Sequence, residues 1–307
     1  MKTYRQIVKD LSQVYSEGEA QALARWLCEE CFGLTQTDIL LDKDNDLSAD
    51  SIAKSQEIVR RLLNHEPIQY ILGSTTFYGR RFTAAPGTLI PRPETEELLH
   101  HLLGSVAAGS SSPCAAAGSS VAAGFPSPSV AAGFAGSILD IGTGTGCIAL
   151  TLALELPDAQ VTAWDISPEA LAVARRNASL YPSASVTFEQ ADIFSPPADD
   201  RLWDIIVSNP PYVRRCEAAE MEHNVLDYEP HLALFVPDDD PLLFYRAIAK
   251  YASTHLREDG QLWLEINQYL SAETAHLIEE YGFGNVQVIN DSYGNPRFLF
   301  QQNTLNP

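Results

Sequence analysis

Alternating glycines in the middle of the chain constrain the fold more than any other sequence feature. The apolar run 138–141 leads directly into Gly142, Gly144 and Gly146, and a second apolar run, 147–150, follows at once. The first run is typical of a buried strand and the second of a helix. Glycines at such a turn let a ligand come close to the backbone. The sequence therefore predicts a strand, a ligand-binding turn and a helix in direct succession.

Strands and helices continue to alternate after this turn. The predicted strands are 138–141, 160–166, 185–190, 202–208, 261–266, 286–290 and 297–301, and the later predicted helices are 168–179, 241–256 and 271–281. This alternation predicts an α/β fold with a doubly wound, Rossmann-like, seven-stranded and mostly parallel sheet. The turn 291–296 is too short for a helical crossover, so the last two strands should pair antiparallel.

Acidic residues mark the ends of the first three predicted strands. Asp140 and Asp165 end the first two, and Asp192 follows the third. Asp165 stands where a ribose diol would lie, and Asp192 can accept a hydrogen bond from an adenine amino group while Ile193 packs on the ring. Each acid alone is more often a helix cap or surface residue. Their order indicates a nucleotide-type cofactor, and both a dinucleotide-binding fold and a methyltransferase stay open. The predicted cofactor-binding residues are Asp140, Gly142, Thr143, Gly144, Thr145, Gly146, Asp165, Ile166, Asp192, Ile193 and Asn209.

The predicted strand 202–208 ends in an unusual corner, formed by Asn209, Pro210, Pro211 and Tyr212. Neither proline has an N–H, and each holds the residue before it in extended geometry. The corner offers hydrogen-bond acceptors and an aromatic face, but no nucleophile, thiol or metal ligand. It suits a planar amino group whose lone pair must be exposed, although a plain proline-rich loop is an equally good interpretation of the motif alone. We predict that Asn209, Pro210 and Tyr212 are catalytic and that all four residues bind the substrate.

The chain before the glycine turn divides into segments of different character. Helical spacing of apolar residues predicts a small N-terminal helical domain over 1–70. Threonines and aromatic residues near Gly79 predict a bridging β-hairpin over 71–90, followed by the α/β domain over 91–307. Within that domain, 104–136 consists almost wholly of alanine, glycine, serine and proline, which predicts a flexible insertion.

Arg92 lies between two prolines, just ahead of a predicted helix whose first turn carries acidic residues. The prolines hold it rigidly at that position. It is either an ordinary surface arginine or a group that lines a site, and we predict that it binds the substrate.

Composition narrows the classes of partner. Forty acidic and 20 basic residues give a formal charge of −20, which disfavours free nucleic acid as the main partner. The hydrophobic fraction of 45% excludes global disorder. The sequence shows no signal peptide and no apolar span long enough for a membrane, so we expect a cytoplasmic protein. The five cysteines are odd in number and scattered, which indicates reduced thiols, and no grouping predicts a metal site.

These motifs together resemble a known enzyme family. The glycine turn, Asp165, Asp192 and the Asn209–Tyr212 corner are similar to those of class I S-adenosylmethionine-dependent amino-methyltransferases. Within that class, the segments 67–73, 77–79, 89–99 and 227–235 resemble the HemK/PrmC-type peptide chain release factor glutamine methyltransferases, and Pro-Arg-Pro-Glu-Thr-Glu, 91–96, is the most discriminating piece. The chain departs from the family pattern at 236–240 and 267–268, where glycines are usual.

The resemblance implies a reaction and a substrate. It implies that the enzyme transfers a methyl group from S-adenosylmethionine to the side-chain N5 of the glutamine in the Gly-Gly-Gln loop of release factors. Asn209 and the Pro210 carbonyl would accept the two N–H bonds of that amide, Tyr212 would pack on its plane, and the N-terminal helices would dock the protein substrate. We expect a monomer that makes no direct contact with nucleic acid or a membrane.

Two other functions stay open. An adenine N6 amino-methyltransferase acting on DNA or RNA would also use a corner that holds a planar amino group, although the acidic charge disfavours it. A cofactor-binding protein without catalysis would keep the glycine turn, but it would have no need of Asn209.

Overall fold

The computed structural model describes residues 2–41, 48–109 and 133–302. In chain order, its helices are α1 (Lys2–Leu11), α2 (Glu17–Phe32), α3 (Gln36–Leu40), α4 (Ala49–Leu62), α5 (Ile68–Leu72), α6 (Pro93–Ala108), α7 (Cys147–Glu155), α8 (Pro168–Leu180), α9 (His223–Leu226), α10 (His231–Leu234), α11 (Leu243–His255) and α12 (Ser271–Glu280). Its strands are β1 (Ser74–Phe77), β2 (Arg80–Thr83), β3 (Ser137–Ile141), β4 (Gln160–Asp165), β5 (Val186–Gln190), β6 (Trp203–Ser208), β7 (Val213–Arg214), β8 (Phe235–Val236), β9 (Leu256–Glu265), β10 (Gln287–Asn290) and β11 (Pro296–Gln302).

The chain forms two compact units. The first consists of Met1–Gly73 and Glu222–Tyr228, and the second of Ser74–Met221 and Glu229–Pro307. The first unit therefore ends three residues beyond the predicted boundary at 70, and it takes in a short segment that the sequence analysis assigned to the α/β domain. The Tyr228 hydroxyl donates to the backbone carbonyl of Asn64 at 2.7 Å, which ties this segment to the helices of its unit.

The first unit is built from amphipathic helices around a small core. Ala20, Ala24 and Leu27 of α2 recur at helical spacing and are fully buried. The Ser16 side chain caps α2 by accepting from the Glu19 backbone N–H, and Gly33 ends the helix in a left-handed conformation.

The second unit contains the predicted seven-stranded sheet, in the order β10-β11-β9-β6-β3-β4-β5. Strands β9, β6, β3, β4 and β5 are parallel, while β11 is antiparallel to both β9 and β10. The predicted fold class and the antiparallel final pair are confirmed. The strand order reverses between β3 and β6, and ligands of such sheets bind beyond the carboxyl ends of the strands at this point.

Both faces of the sheet are covered. Ile138 and Val207 point into one cluster, which includes buried residues of α6 and α7, and Leu139 and Ile206 point into the other, which includes α11 and α12. Successive strand residues face opposite sides, so each strand contributes to both cores. The sheet is therefore a rigid support for the loops at its carboxyl edge.

A β-hairpin lies within the predicted range 71–90, but its paired strands span only residues 74–83. Strands β1 and β2 pair Ser74 with Thr83 and Phe77 with Arg80, whereas residues 84–90 form a loop. Residues 71 and 72 belong to helix α5 instead. Gly73 ends that helix with a φ of 73°, a conformation that glycine adopts without strain.

The predicted insertion starts too early. Residues 104–108 continue helix α6, because Leu102 and Leu103 bury its apolar face and Ser105 accepts a hydrogen bond from Gln261 at 3.2 Å. Residues 110–132 of the predicted insertion lie outside the described residues.

Within the described ranges, no helix has the length and apolarity that a membrane crossing requires. The described residues also contain no group of three or more histidine, cysteine or acidic side chains that could hold a metal ion.

Candidate active site

A cavity lies at the carboxyl ends of β3, β4 and β6, where the sheet topology predicts a ligand. Its walls include Gly142, Gly144, Asp165, Ile166, Asp192, Ile193, Asn209, Pro210 and Pro211 of the predicted site, together with Leu89, Phe194, Leu232, Phe244 and Ile248. The remaining predicted residues, Asp140, Thr143, Thr145, Gly146, Tyr212 and Arg92, do not line it. The strand ends thus bring together the glycine turn, two of the acids and the proline corner.

The glycines of the turn have two separate roles. Gly142 and Gly144 have positive φ angles of 75° and 55°, and a Cβ on either would meet no atom within 4 Å. Gly146 also has a positive φ, 80°, but a Cβ there would lie 3.1 Å from the Cβ of Ala174 in α8. The first two glycines therefore leave the backbone open to the cavity, while the third lets the backbone just before α7 lie close to α8.

Asp165 links the first two strand ends. Its Oδ2 accepts from the Gly144 backbone N–H at 2.8 Å and its Oδ1 from the Ser167 N–H at 2.9 Å. Burial raises the pKa of this carboxyl, and the backbone donors of Ser167 and Gly144 act in the opposite direction. A carboxylate has about four acceptor positions, so Asp165 can also accept from a ligand hydroxyl.

Asp192 is the second acid of the cavity wall. Its Oδ1 accepts from the Phe194 backbone N–H at 2.9 Å, which closes a turn immediately after β5. This turn places Ile193 and Phe194 in the cavity wall, where Phe194 packs against Phe244 with ring centroids 5.0 Å apart. Phe194 and Phe244 were not predicted from the sequence. The position of Phe194 next to Ile193 was an available signal, whereas Phe244 looks like any core residue of an amphipathic helix.

Asp140 lies behind the turn and is fully buried. Its Oδ2 accepts from the Thr143 hydroxyl at 2.6 Å, and burial raises the pKa of Asp140 to about 7. Thr145 is also buried, and its carbonyl accepts from the Asn177 side chain at 2.9 Å. These residues support the shape of the turn from inside the unit.

The proline corner begins where β6 leaves the sheet. The Ser208 hydroxyl donates to the Ile141 carbonyl at 2.7 Å, which holds the end of β6 against β3. The Asn209 Nδ2 donates to the Thr95 hydroxyl oxygen at 3.1 Å. Pro210 and Pro211 line the cavity, whereas the Tyr212 hydroxyl donates to Oε1 of Glu265 at 2.9 Å. Thr95 and Glu265 are functional candidates that were not predicted from the sequence. Thr95 lies in the discriminating segment 91–96, which was an available signal, whereas Glu265 looks like the end of an ordinary buried strand.

Arg92 forms an ion pair outside the cavity wall. Its guanidinium lies 2.6 Å from Oε1 of Glu229, whose side chain is only 1% exposed. The other oxygen of Glu229 accepts from the Ile90 backbone N–H at 3.0 Å. Glu229 therefore joins the segment before α6 to the segment before α10, and residues of both segments line the cavity.

Comparison with known proteins identifies the family. The PrmC N-terminal domain model matches residues 2–73, and the methyltransferase small domain model matches residues 125–227. A protein of Bacteroides thetaiotaomicron named release factor glutamine methyltransferase is 44% identical over 95% of this chain and 96% of its own length. The chain belongs to the release factor glutamine methyltransferase family. Two further relatives of the same name agree with this. The one from Flavobacterium psychrophilum is 42% identical over 97% of this chain and 98% of its own length. The one from Chlorobaculum tepidum is 38% identical over 89% of this chain and 87% of its own length.

The cavity of this family member suits a nucleoside-type methyl donor. Gly142 and Gly144 leave open space beside the backbone, and Asp165 and Asp192 supply acceptors for hydroxyl and amino groups. Ile166 and Ile193 supply apolar surface for a ring. S-adenosylmethionine, the methyl donor of these enzymes, carries all of these groups, so the residues present fit it.

Proposed function

We propose that this enzyme transfers a methyl group from S-adenosylmethionine to the side-chain N5 of the glutamine in the Gly-Gly-Gln motif of peptide chain release factors. The observation that carries the proposal is the position of Asn209 at the end of β6, in the wall of the cavity. Its Nδ2 is held by Thr95, and its Oδ1 accepts no hydrogen bond from any described residue. That oxygen is therefore available to a substrate N–H.

Cofactor binding is assigned to the residues of the cavity wall. Asp165 would accept hydrogen bonds from the ribose hydroxyls and Asp192 from the adenine amino group, with Ile166 and Ile193 packed on the ring. Gly142 and Gly144 would leave room beside the backbone, and Asp140, Thr143, Thr145 and Gly146 would hold the turn in shape. When bound, the cofactor supplies an electrophilic methyl group on a sulfonium.

The corner residues prepare the substrate nitrogen. The lone pair of a glutamine amide is delocalised into its carbonyl, so the nitrogen is a poor nucleophile. Asn209 Oδ1 and the Pro210 carbonyl would accept its two N–H bonds and turn the lone pair toward the methyl group. Pro211 would line the wall beside the amide, and Tyr212, which lies outside the cavity wall, would hold the corner through its hydrogen bond to Glu265. This orientation supplies much of the rate. The two acceptor dipoles also stabilise the positive charge that develops on the nitrogen, and the extra proton leaves to water after transfer.

The first unit would dock the release factor. The match of residues 2–73 to the PrmC N-terminal domain supports a role for this unit that is specific to the family. We propose that the enzyme acts as a monomer in the cytoplasm, without direct contact to nucleic acid. Removal of residues 1–73 should then lower methyl transfer to a full-length release factor, and an unchanged rate would contradict the docking role.

The decisive experiment measures transfer of labelled methyl from S-adenosylmethionine to three acceptors. These are a purified release factor, the same factor with its Gly-Gly-Gln glutamine changed to alanine, and duplex DNA. Label that enters the release factor and is lost with the glutamine supports the proposal. Label that enters DNA alone overturns the substrate and favours the adenine amino-methyltransferase alternative.

A variant tests the assigned residue in the same assay. Asn209→Ala should lower kcat by about 10²-fold or more, because a hydrogen bond aimed at the reacting nitrogen is lost. Binding of S-adenosylmethionine, measured by calorimetry, should fall much less than kcat, because Asp165, Asp192 and the glycine turn still hold the cofactor in this variant. A cofactor-binding protein without catalysis would show no methyl transfer in either form.

A further inference from the structure

A buried carboxylate lies directly behind the proline corner. Glu265, at the end of β9, is 1% exposed and does not line the cavity. Its Oε2 accepts from the Thr95 hydroxyl at 2.7 Å and its Oε1 from the Tyr212 hydroxyl at 2.9 Å. Glu265 lies outside the cavity wall, and its two carboxylate oxygens accept from the hydroxyls of Thr95 and Tyr212.

The Thr95 hydroxyl lies between Glu265 and Asn209 and is hydrogen-bonded to both. A hydroxyl has a single proton, and that of Thr95 is donated to Glu265. The Thr95 oxygen can then only accept from Asn209, so the Nδ2 end of the amide must face it, as the 3.1 Å contact shows. The opposite end, Oδ1, is thereby left toward the side from which a substrate amide would come.

The orientation of this amide matters for the reaction. A substrate NH₂ group has two donors and needs an acceptor, which Oδ1 supplies. If the Asn209 amide were turned over, Nδ2 would face the substrate nitrogen, and two donors would oppose each other. Among the described residues, the hydrogen-bonded series runs from Asn209 through Thr95 to Glu265. The Glu265 carboxylate can only accept, so it sets the direction of both hydrogen bonds.

We propose that Glu265, acting through Thr95, is the positioning residue that sets the amide orientation of Asn209, and that it also holds the hydroxyl of Tyr212. The catalytic importance of this arrangement rests on the function proposed above. The hydrogen-bond arrangement itself can be measured without any substrate.

Three substitutions separate positioning from simple packing. Thr95→Val keeps the shape of the side chain and removes the hydroxyl, Thr95→Ser keeps the hydroxyl, and Glu265→Gln replaces one acceptor oxygen by a donor. Glu273→Gln, on the exposed surface of α12, is the matched control. Thr95→Val and Glu265→Gln should each lower kcat by about 10²-fold, while the KM for S-adenosylmethionine stays within about twofold. Thr95→Ser should restore most of the rate.

The two losses should not add. If both residues act through Asn209, the double variant Thr95→Val, Glu265→Gln should be no slower than Glu265→Gln alone. If Glu265→Gln does not fold, as judged by thermal unfolding, the comparison of Thr95→Val with Thr95→Ser still decides the outcome.

A second measurement reads the amide directly. In protein labelled with ¹⁵N at asparagine, the Asn209 side-chain signal can be assigned by its loss in Asn209→Ala. It should shift in Thr95→Val and Glu265→Gln and remain in place in Thr95→Ser and Glu273→Gln. An unchanged Asn209 signal in Thr95→Val, or an unchanged kcat in the presence of a shifted signal, overturns the inference. If the unchanged protein shows no activity on release factor, the proposed function fails. The Asn209 signal alone then decides whether Glu265 sets the orientation of the Asn209 side-chain amide.

Discussion

The backbone N–H of Gly144 donates to Oδ2 of Asp165 at a distance of 2.8 Å. This bond joins the glycine turn after β3 to the end of β4, so the two parts of the cavity wall are held by one carboxylate. The second oxygen of Asp165 accepts from the Ser167 N–H at the start of α8. Asp165 therefore shapes the cavity as well as offering acceptors to a ligand.

Asp165→Ala should weaken the binding of S-adenosylmethionine by about 10- to 100-fold, the effect of losing hydrogen bonds to a charged group. The Kd is measured by isothermal titration calorimetry. Asp158→Ala, at an exposed position after α7, is the control and should bind normally. An Asp165→Ala protein that folds and keeps its affinity would contradict the assignment of this residue to the cofactor.

The glycines of the turn should respond differently to alanine. Gly146→Ala should lower the free energy of unfolding by more than the roughly 1–2 kcal/mol of a left-handed alanine, because its Cβ would lie 3.1 Å from Ala174 and 3.3 Å from Leu150. Gly144→Ala carries only the backbone cost, since its Cβ would meet nothing within 4 Å, but it should reduce cofactor affinity. Urea unfolding and calorimetry on both variants test this contrast, and equal losses of stability would refute it.

The Arg92 to Glu229 ion pair predicts a mainly structural effect at Arg92. Arg92→Ala should lower the free energy of unfolding by about 1.5–3 kcal/mol, because it leaves a buried carboxylate without its charged partner. The double variant Arg92→Ala, Glu229→Gln should recover much of this stability, since the buried charge is then gone.

The same two variants test the predicted substrate contact of Arg92. If Arg92 binds the release factor, the KM for that substrate should rise in Arg92→Ala and stay raised in the double variant. If Arg92 only supports the cavity wall, the KM should recover together with the stability. Steady-state kinetics with thermal unfolding as a parallel measurement separates the two results.

Asp140 should make the stability fall as the pH rises. Its pKa is raised by burial from 3.8 to about 7, so between these values the folded protein binds a proton that the unfolded chain has released. The free energy of unfolding therefore decreases with rising pH across this window, by at most about 1.4 kcal/mol per pH unit, and this contribution levels off above about pH 7.

Asp140→Asn should remove this dependence, because the amide does not titrate and its oxygen can still accept from the Thr143 hydroxyl. The gain in stability over the unchanged protein should grow from about pH 4 to about pH 7. Urea unfolding at several pH values measures it, with Asp158→Asn as the exposed control. A difference that does not vary with pH would show that Asp140 is already ionised in the fold.

Local patterns in the sequence were sufficient to predict the sheet and much of the cavity wall. Each strand carries its own apolar run, and the ends of parallel strands meet at one edge, so Asp165, Asp192 and Asn209 could be assigned to the same site. The cofactor class and the protein family followed from these residues and the corner. Helix α6 extends through residues 104–108, further than predicted. The composition of these residues does not indicate a helix, but the buried leucines before them keep the chain helical.

The sequence by itself determined the order of the strands along the chain, the glycine turn and the proline corner. Each of these features depends on residues that lie close together in the chain. Only the tertiary structure decided which of these residues face the cavity and what orients them. Thr95 and Glu265 are separated by 170 positions, and Thr95 and Asn209 by 114. Contacts over such distances depend on the lateral order of β9, β6 and β3 and on the packing of α6 against them. The folded chain also buries Asp140 behind the turn, whereas Asp165 lines the cavity.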